Sequence, residues 1–404
     1  MKLLHTSDWH LGRTLFSKKD RQDEHAAFFD WLLNVIKDNS VDLLIVAGDI
    51  FDTVSPGSGA QKMYYDFLFN VRNSGCQNVV IVGGNHDSPS FLNAPKDILA
   101  ALNVSIIGNA CENIEDEIIV IKDKEENPVA IVCAAPYLRE RDINRFTEGE
   151  TYSDRSKRIA ENIKQHYAKL AEIADSKRKS NNLNTPVIAT GHLSVAGGKT
   201  KDDDGVRELF FGNIECIGTE IFPRIFDYVA LGHYHIPSAI TETVRYCGSP
   251  IPMGFGEASQ KKRVYIVDFI DNKPNITSHE IPVFQRLETI AGDKAVLHKR
   301  LTELIIMDVS VWVEIIYTGN EVFPDLADWA NGVAENTKID ILKIQNKQYL
   351  EEVLTLSDSC QALDELNEFD VFDKLLEKNN IPEEQREELK ILYSKIVDEL
   401  YQEK

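Results

Sequence analysis

Five short polar loops hold the residues that could do chemistry: Asp8 with His10, Asp49 with Asp52, Asn85 with His86, His192, and His233 with His235. Five of the ten histidines fall in these loops, each after an apolar run and beside a glycine or in a short loop. Carboxylate, imidazole and amide oxygen without thiolate form a donor set suited to Mn2+, Fe2+ or Zn2+. Seven ligands drawn from this set exceed the needs of one ion and suit two ions that share a bridge. Such a pair, about 3.5–4 Å apart, clamps the attacking and departing oxygens of a phosphoryl group and makes water a usable nucleophile near neutral pH. Singly each signal is weak, because a lone histidine is more often an ordinary, partly buried structural group. His5 and His25 are read that way, and His166, His279 and His298 as solvent-facing. The weight lies in the ordered set.

Short apolar strands must position these loops. Leu43 to Ala47 is too short for a helix, and its β-branched content suits a central strand covered on both faces. Gly48 then turns the chain into Asp49 and Asp52. Strands at Lys2 to His5, Val79 to Val82, Val187 to Thr190 and Asp227 to Leu231 lead into the other four loops. In open α/β sheets ligands bind beyond the carboxyl ends of the strands. Further strands are expected at Val104 to Ile107, Glu117 to Ile121, Val129 to Ala134, Thr243 to Tyr246 and Arg263 to Phe269. A helix over about residues 20 to 38 buries Phe28, Trp31, Leu32, Val35 and Ile36, and another in the 139–179 segment buries Ile159, Ile163, Tyr167, Leu170 and Ile173. The helix through Met63 to Phe69 is apolar nearly all round, which fits deep core or half of an oligomer interface.

The first domain, residues 1–275, is expected to close at Asn272-Lys273-Pro274-Asn275. A small α+β unit follows over 276–350, with strands at Arg286 to Ile290, Val309 to Tyr317 and Ile339 to Ile344 and helices at Asp293 to Ile305 and Pro324 to Val333. Residues 351–404 show only helical pattern, with apolar stripes at Leu363, Leu366, Phe369, Phe372 and Leu376 and at Leu389, Leu392, Ile396 and Leu400. These read as an αα-hairpin that docks on a partner or packs on itself.

At 404 residues the chain needs two or three domains, and its 43% hydrophobic and 27% charged content is that of a soluble globular protein. No apolar run of about 18 residues exists, so no membrane span is expected. The N-terminus has no signal-peptide pattern, and six scattered cysteines without a C-x-x-C pair suit a reducing cytoplasm. The net charge of −21 is the wrong sign for nucleic acid, but it is uneven. Residues 351–404 hold sixteen acids against six Lys and Arg, whereas residues 139–179 hold eleven Lys and Arg against eight acids. A DNA surface would therefore be local, or partly supplied by a partner.

The ordered set D-x-H, G-D-x-x-D, G-N-H-D, G-H and G-H-x-H resembles the signature of the calcineurin-like metallophosphoesterases. Thr6 to Gly12, Gly84 to Asp87 and Tyr246 to Met253 are similar to the SbcD branch, nucleases that act with the coiled-coil ATPase SbcC. The resemblance covers essentially the whole chain. It implies an α/β fold, a metallophosphoesterase β-sandwich flanked by helices, with a small α+β capping domain and a C-terminal helical hairpin that binds the ATPase. It further implies two divalent ions, with Mn2+ as the metal. Asp8, His10, Asp49 and His235 would hold one ion, and Asp49, Asn85, His192 and His233 the other. His86 would be a general acid near the leaving 3′-oxygen, oriented and charged by Asp52. The implied activities are 3′→5′ exonuclease on duplex ends and endonuclease on single strands and hairpins, in a homodimer within a heterotetramer. ATP would be bound by the partner, since no P-loop is present. A metallophosphoesterase acting on small nucleotides or phosphoproteins is the competing reading, and a scaffold that has lost its metals a more distant one.

Overall fold

The computed structural model describes residues 1–143, 152–198, 217–321 and 323–346, with isolated positions thereafter. The hairpin expected over 351–404 lies outside the described residues, isolated positions apart. Two six-stranded sheets form the first unit. One runs in the order Lys273–Glu280, Arg263–Ile270, Lys2–Thr6, Leu43–Ala47, Asn78–Val82, Val104–Ile107. The other runs Ser238–Ala239, Val244–Tyr246, Tyr228–Gly232, Val187–His192, Pro128–Cys133, Ile118–Lys122. The central strands of both sheets are parallel, so their carboxyl ends gather on one side, as the loop pattern requires.

The sheets pack face to face. Leu3, Leu43, Ile45, Val80 and Val82 meet Ala130, Val132, Ile188 and Ala230, all buried. Each such Leu, Ile or Val contributes roughly 1.5–3 kcal/mol by leaving water. Helices cover the outer faces, so the central strands are buried on both sides and read as continuous apolar runs. Helix Gln22–Asn39 starts with Asp23 and Glu24 and ends with Lys37, charges that suit the helix dipole. Its end is Ser40 in the left-handed region, whose N–H bonds back to the carbonyls of Ile36 and Lys37. Helix Tyr152–Ser180 covers the second sheet through Ile159, Ile163, Tyr167 and Leu170.

Three expectations shift. Asn272–Asn275 falls at a hairpin connection, because Lys273–Glu280 pairs along its length with Arg263–Ile270 and so extends the first sheet to Glu280. Val309 lies outside its expected strand and is exposed, while Trp312 and Glu314 in Val311–Tyr317 are buried like their alternate neighbours. That strand is the middle of the parallel sheet Arg286–Gly292, Val311–Tyr317, Ile339–Asn346. One face meets helices Lys294–Met307 and Leu326–Ala334. On the other face Leu287, Trp312 and Leu342 pack against Leu15 and Phe255 of the first unit. Finally, His166 is not in solvent: its Nε2 lies 2.7 Å from the buried carboxylate of Glu117.

Helix Ser58–Asn73 is core through Tyr64, Phe67 and Leu68, but Phe69 is 63% exposed. Among the described residues no helix is long and apolar enough to cross a membrane.

Candidate metal centre

The first loop is fixed by the residue between its two candidate ligands. Trp9 is fully buried, donates its indole N–H to Thr6 Oγ1 at 3.0 Å and sits edge-on to Phe29 and Phe67. His25, structural as expected, places its Nε2 2.7 Å from the Trp9 carbonyl. With Trp9 driven into the outer core, Asp8 and His10 turn the other way. The geometry is strained: Asp8, His10, Asp49 and His233 all have positive φ, at 52°, 48°, 51° and 101°. Non-glycine residues in such conformations cost about 1–3 kcal/mol each and persist where the surroundings hold them.

Backbone bonds between loops do that holding. Asp8 N–H donates to the Gly48 carbonyl, His10 N–H to Asp49 and Leu11 N–H to Ile50, at 3.0, 3.0 and 2.9 Å. One oxygen of each central carboxylate is also committed: Asp8 Oδ1 accepts the His233 N–H and Asp49 Oδ1 the His86 N–H, both at 2.9 Å. Asp49 Oδ2 is left facing His192 Nε2 at 3.2 Å and His10 Nε2 at 3.6 Å. Gly84 makes room for this approach, since a Cβ there would stand 2.1 Å from Asp49 Oδ1.

All seven candidate ligands converge. Asp8, His10 and His235 form one group and Asp8, Asp49 and His192 another, with ligand atoms within 4.8 Å of one another. His10 Nε2 faces His235 Nε2 at 3.1 Å. Asn85 Oδ1 lies 2.9 Å from His192 Nε2 and 3.1 Å from His233 Nδ1. His86 stands with its ring edge-on to His10, 4.7 Å between centroids, and groups with His10 and Asp49 as well.

Asp52 departs from its expected place. Its carboxylate is 3.2 Å from His10 Nδ1 and accepts from Arg13 at 3.0 Å, whereas only its backbone carbonyl meets His86, at 2.9 Å from Nδ1. The cause is the loop pairing: Asp52 N–H bonds the Leu11 carbonyl, which sets its side chain beside His10 and Arg13. His5 is structural as expected, with Nδ1 2.9 Å from the Tyr228 hydroxyl.

Electrostatics fit a cation site. Burial alone would push the Asp49 carboxyl up, yet His192 and His10 hold it well below the usual range. Burial alone would lower His192, but Asp49 and Asp8 raise it to about 9. His10 and His233 are both pushed down to about 3, chiefly by burial, and so present neutral imidazoles. Two buried carboxylates, converging imidazole nitrogens and an amide oxygen form a mixed N/O donor set that fits divalent metal. These residues fit such ions.

Sequence reasoning gave several supporting residues no role. The Asp87 carboxylate accepts the N–H groups of Ile50, Phe51 and Gly84, tying the second and third loops, and burial raises it to about 6. The Gly-Asn-His-Asp spacing could have signalled it. Arg139 donates to the Asp87 carbonyl at 2.9 Å beside Tyr137, whose ring meets His192. Glu257 and Lys262 lie behind His235, and nothing in their spacing announced them.

A two-sheet sandwich with helices outside and this donor set at its strand ends is the architecture of a metal-dependent phosphoesterase. The family model for calcineurin-like phosphoesterases matches residues 1–237, and this chain belongs to that family. A second model, described as the Type 5 capsule protein repressor C-terminal domain, matches residues 283–380. Within the family the chain groups with proteins named as the D component of the nuclease SbcCD. It is 34% identical to that of Escherichia coli K12 over 98% of this chain and 97% of the relative. To that of Bacillus subtilis it is 32% identical over 66% of each.

Proposed function

We propose that this chain is a two-metal DNA nuclease, a 3′→5′ exonuclease on duplex ends and an endonuclease on single strands and hairpins, acting with a coiled-coil ATPase in DNA end processing. The observation that carries it is Asp49, whose carboxylate stands between the groups around His10 and His192, in a chain whose relatives are named as components of a nuclease. Asp8, His10, Asp49 and His235 hold one ion, and Asp49, Asn85, His192 and His233 the other, with Mn2+ as the metal. When bound, the ions supply charge on both sides of the scissile phosphate and activate the attacking water. The chain's own residues do the rest. The loop bonds fix the donors before substrate arrives, so little reorganisation is left for the reaction. With Nδ1 on the Asp52 carbonyl, His86 carries its transferable proton on Nε2, for delivery to the leaving 3′-oxygen. Arg139, beside the site, supplies local positive charge that the net charge of −21 conceals.

The test pairs linear duplex DNA with a small aryl phosphodiester, each with Mn2+. Digestion of the duplex is expected; turnover of the small ester alone would favour a nucleotide or phosphoprotein phosphoesterase. Truncation after Ser357 extends the test. The removed residues carry two apolar stripes and a large share of the uncompensated acidic charge, which suits a protein partner and repels DNA. Mn2+-dependent cleavage of single strands should survive, while capture of the ATPase and ATP-stimulated attack on duplex ends should vanish. A truncated chain that still captures the ATPase at full affinity would make the tail a self-packed element.

A homodimer is proposed through the helix Ser58–Asn73 and the neighbouring Phe91–Leu92 segment, of which Leu92 itself is buried in the core. Phe69 and Ile98, 63% and 76% exposed, leave apolar surface there. Light scattering at micromolar concentration should give twice the chain mass, and a monomer would count against it.

A further inference from the structure

Three imidazoles of the site direct Nε2 inward, and each has something behind its Nδ1. His10 Nδ1 has the Asp52 carboxylate at 3.2 Å, and His192 Nδ1 has the Ala47 carbonyl at 2.9 Å. Behind His235 is Glu257, fully buried, with Oε1 3.7 Å from Nδ1. That oxygen has no hydrogen-bond partner, although it is shielded from water. A buried carboxylate oxygen without a donor is costly, and such groups in native structures call for a functional or structural reason.

The rest of Glu257 is held tightly. Oε2 pairs with the Lys262 ammonium and accepts the Met253 N–H at 3.1 Å. Lys262, itself 4% exposed, also donates to the His235 carbonyl at 2.9 Å and to Ser249 Oγ at 3.0 Å. Lys262 therefore grips the backbone of His235 and the carboxylate that faces its ring. Phe255, two residues earlier, packs against Leu287, Trp312 and Leu342 of the small α+β unit, which anchors the segment from its other side.

We infer that Glu257 is a positioning residue for metal: it takes the Nδ1–H of His235 and thereby keeps Nε2 of that ring turned, unprotonated, toward Asp8 and His10. A carboxylate behind a ligating histidine fixes the tautomer and ring orientation and raises ligand basicity, and its loss commonly weakens metal affinity 10–100-fold. The inference rests on the two-metal reading above. It adds that the Asp8–His10–His235 position is backed by two carboxylates, Asp52 and Glu257, whereas His192 in the other position is backed by a carbonyl. The two positions are therefore unequal.

Calorimetric titration with Mn2+ alone, read beside the Mn2+ electron paramagnetic resonance spectrum, tests it without any DNA. Removing one member of a buried pair strands the other charge, whereas neutralising both is often tolerated. The main variant is therefore Glu257→Gln with Lys262→Met, and Glu257→Gln alone is the second. Wild-type protein should bind two Mn2+ and show the spectrum of a coupled pair. Both variants should keep one position at wild-type affinity and lose about 10–100-fold at the other, with an uncoupled spectrum at intermediate Mn2+. A purely structural role would weaken both positions together, or neither. Two wild-type affinities in either folded variant would overturn the proposal, as would failure of both variants to fold. Wild-type protein that binds fewer than two Mn2+ would instead sink the two-metal reading itself.

Discussion

Asp49→Ala is expected to abolish metal binding at both positions and nuclease activity with it. On the proposed ligand set, no other substitution removes a ligand from each ion at once. The loss of charge stabilisation at the scissile phosphate is worth several kcal/mol, a fall in rate on the order of 10³-fold or more. The alanine also orphans the His86 N–H, which Asp49 Oδ1 accepts at 2.9 Å, at a cost of about 1–3 kcal/mol in stability. Asp49→Asn separates the two effects. Its side-chain oxygen can still accept that N–H, so the fold should hold near wild-type melting temperature, while the neutral amide bridges cations poorly. Mn2+ titration, thermal unfolding and duplex digestion on both variants give the comparison. An Asp49→Ala protein that binds two Mn2+ and cuts DNA would overturn the ligand assignment.

The sequence made the skeleton of this site legible because the chemistry needs few residue types at strand ends. Leu43 to Ala47 could be read as a doubly covered strand from its unbroken apolar run, and the structure buries every residue of it. The seven candidate ligands could be collected because five loops repeat one pattern, a His, Asp or Asn beside a glycine or in a short loop after an apolar run, although each signal alone is weak. What sequence could not carry was direction. The resemblance implied that Asp52, three residues after Asp49, would orient His86, yet the pairing of its N–H with Leu11 sends the carboxylate to His10. His166 looked like one polar residue among many on a helix, and only the fold brings Glu117 beneath it. Glu257 and Lys262 were invisible because their meaning depends on His235, more than twenty residues away. The hairpin at Asn272 to Asn275 carries the same composition as a linker, and only pairing distinguishes the two.

His86 serves in the proposed reaction as the acid and not as a ligand. Its ring lies edge-on to His10, and its nitrogen groups with His10 and Asp49 closely enough to hold a cation. Its Nδ1, however, rests on the Asp52 carbonyl at 2.9 Å, an acceptor that demands an N–H there. The imidazole is thus anchored by one nitrogen and presents the other, which suits an acid that gives up a proton from Nε2. The site already draws the imidazoles of His10, His192, His233 and His235 and the Asn85 amide oxygen around its two carboxylates, so on the proposed ligand set neither ion needs His86. His86→Ala should accordingly retain both Mn2+ at near wild-type affinity while turnover falls by about 10²–10⁴-fold, the usual worth of a positioned acid. The alanine keeps its own N–H, so the bond to Asp49 Oδ1 survives and the bridge stays oriented. Substrates with a better leaving group than a 3′-hydroxyl, such as a nitrophenyl ester, should lose much less, because they need no proton on departure. That contrast identifies the role. Equal losses on both substrates, or loss of one Mn2+ in the titration, would make His86 a ligand or a structural support and leave the proton to another group.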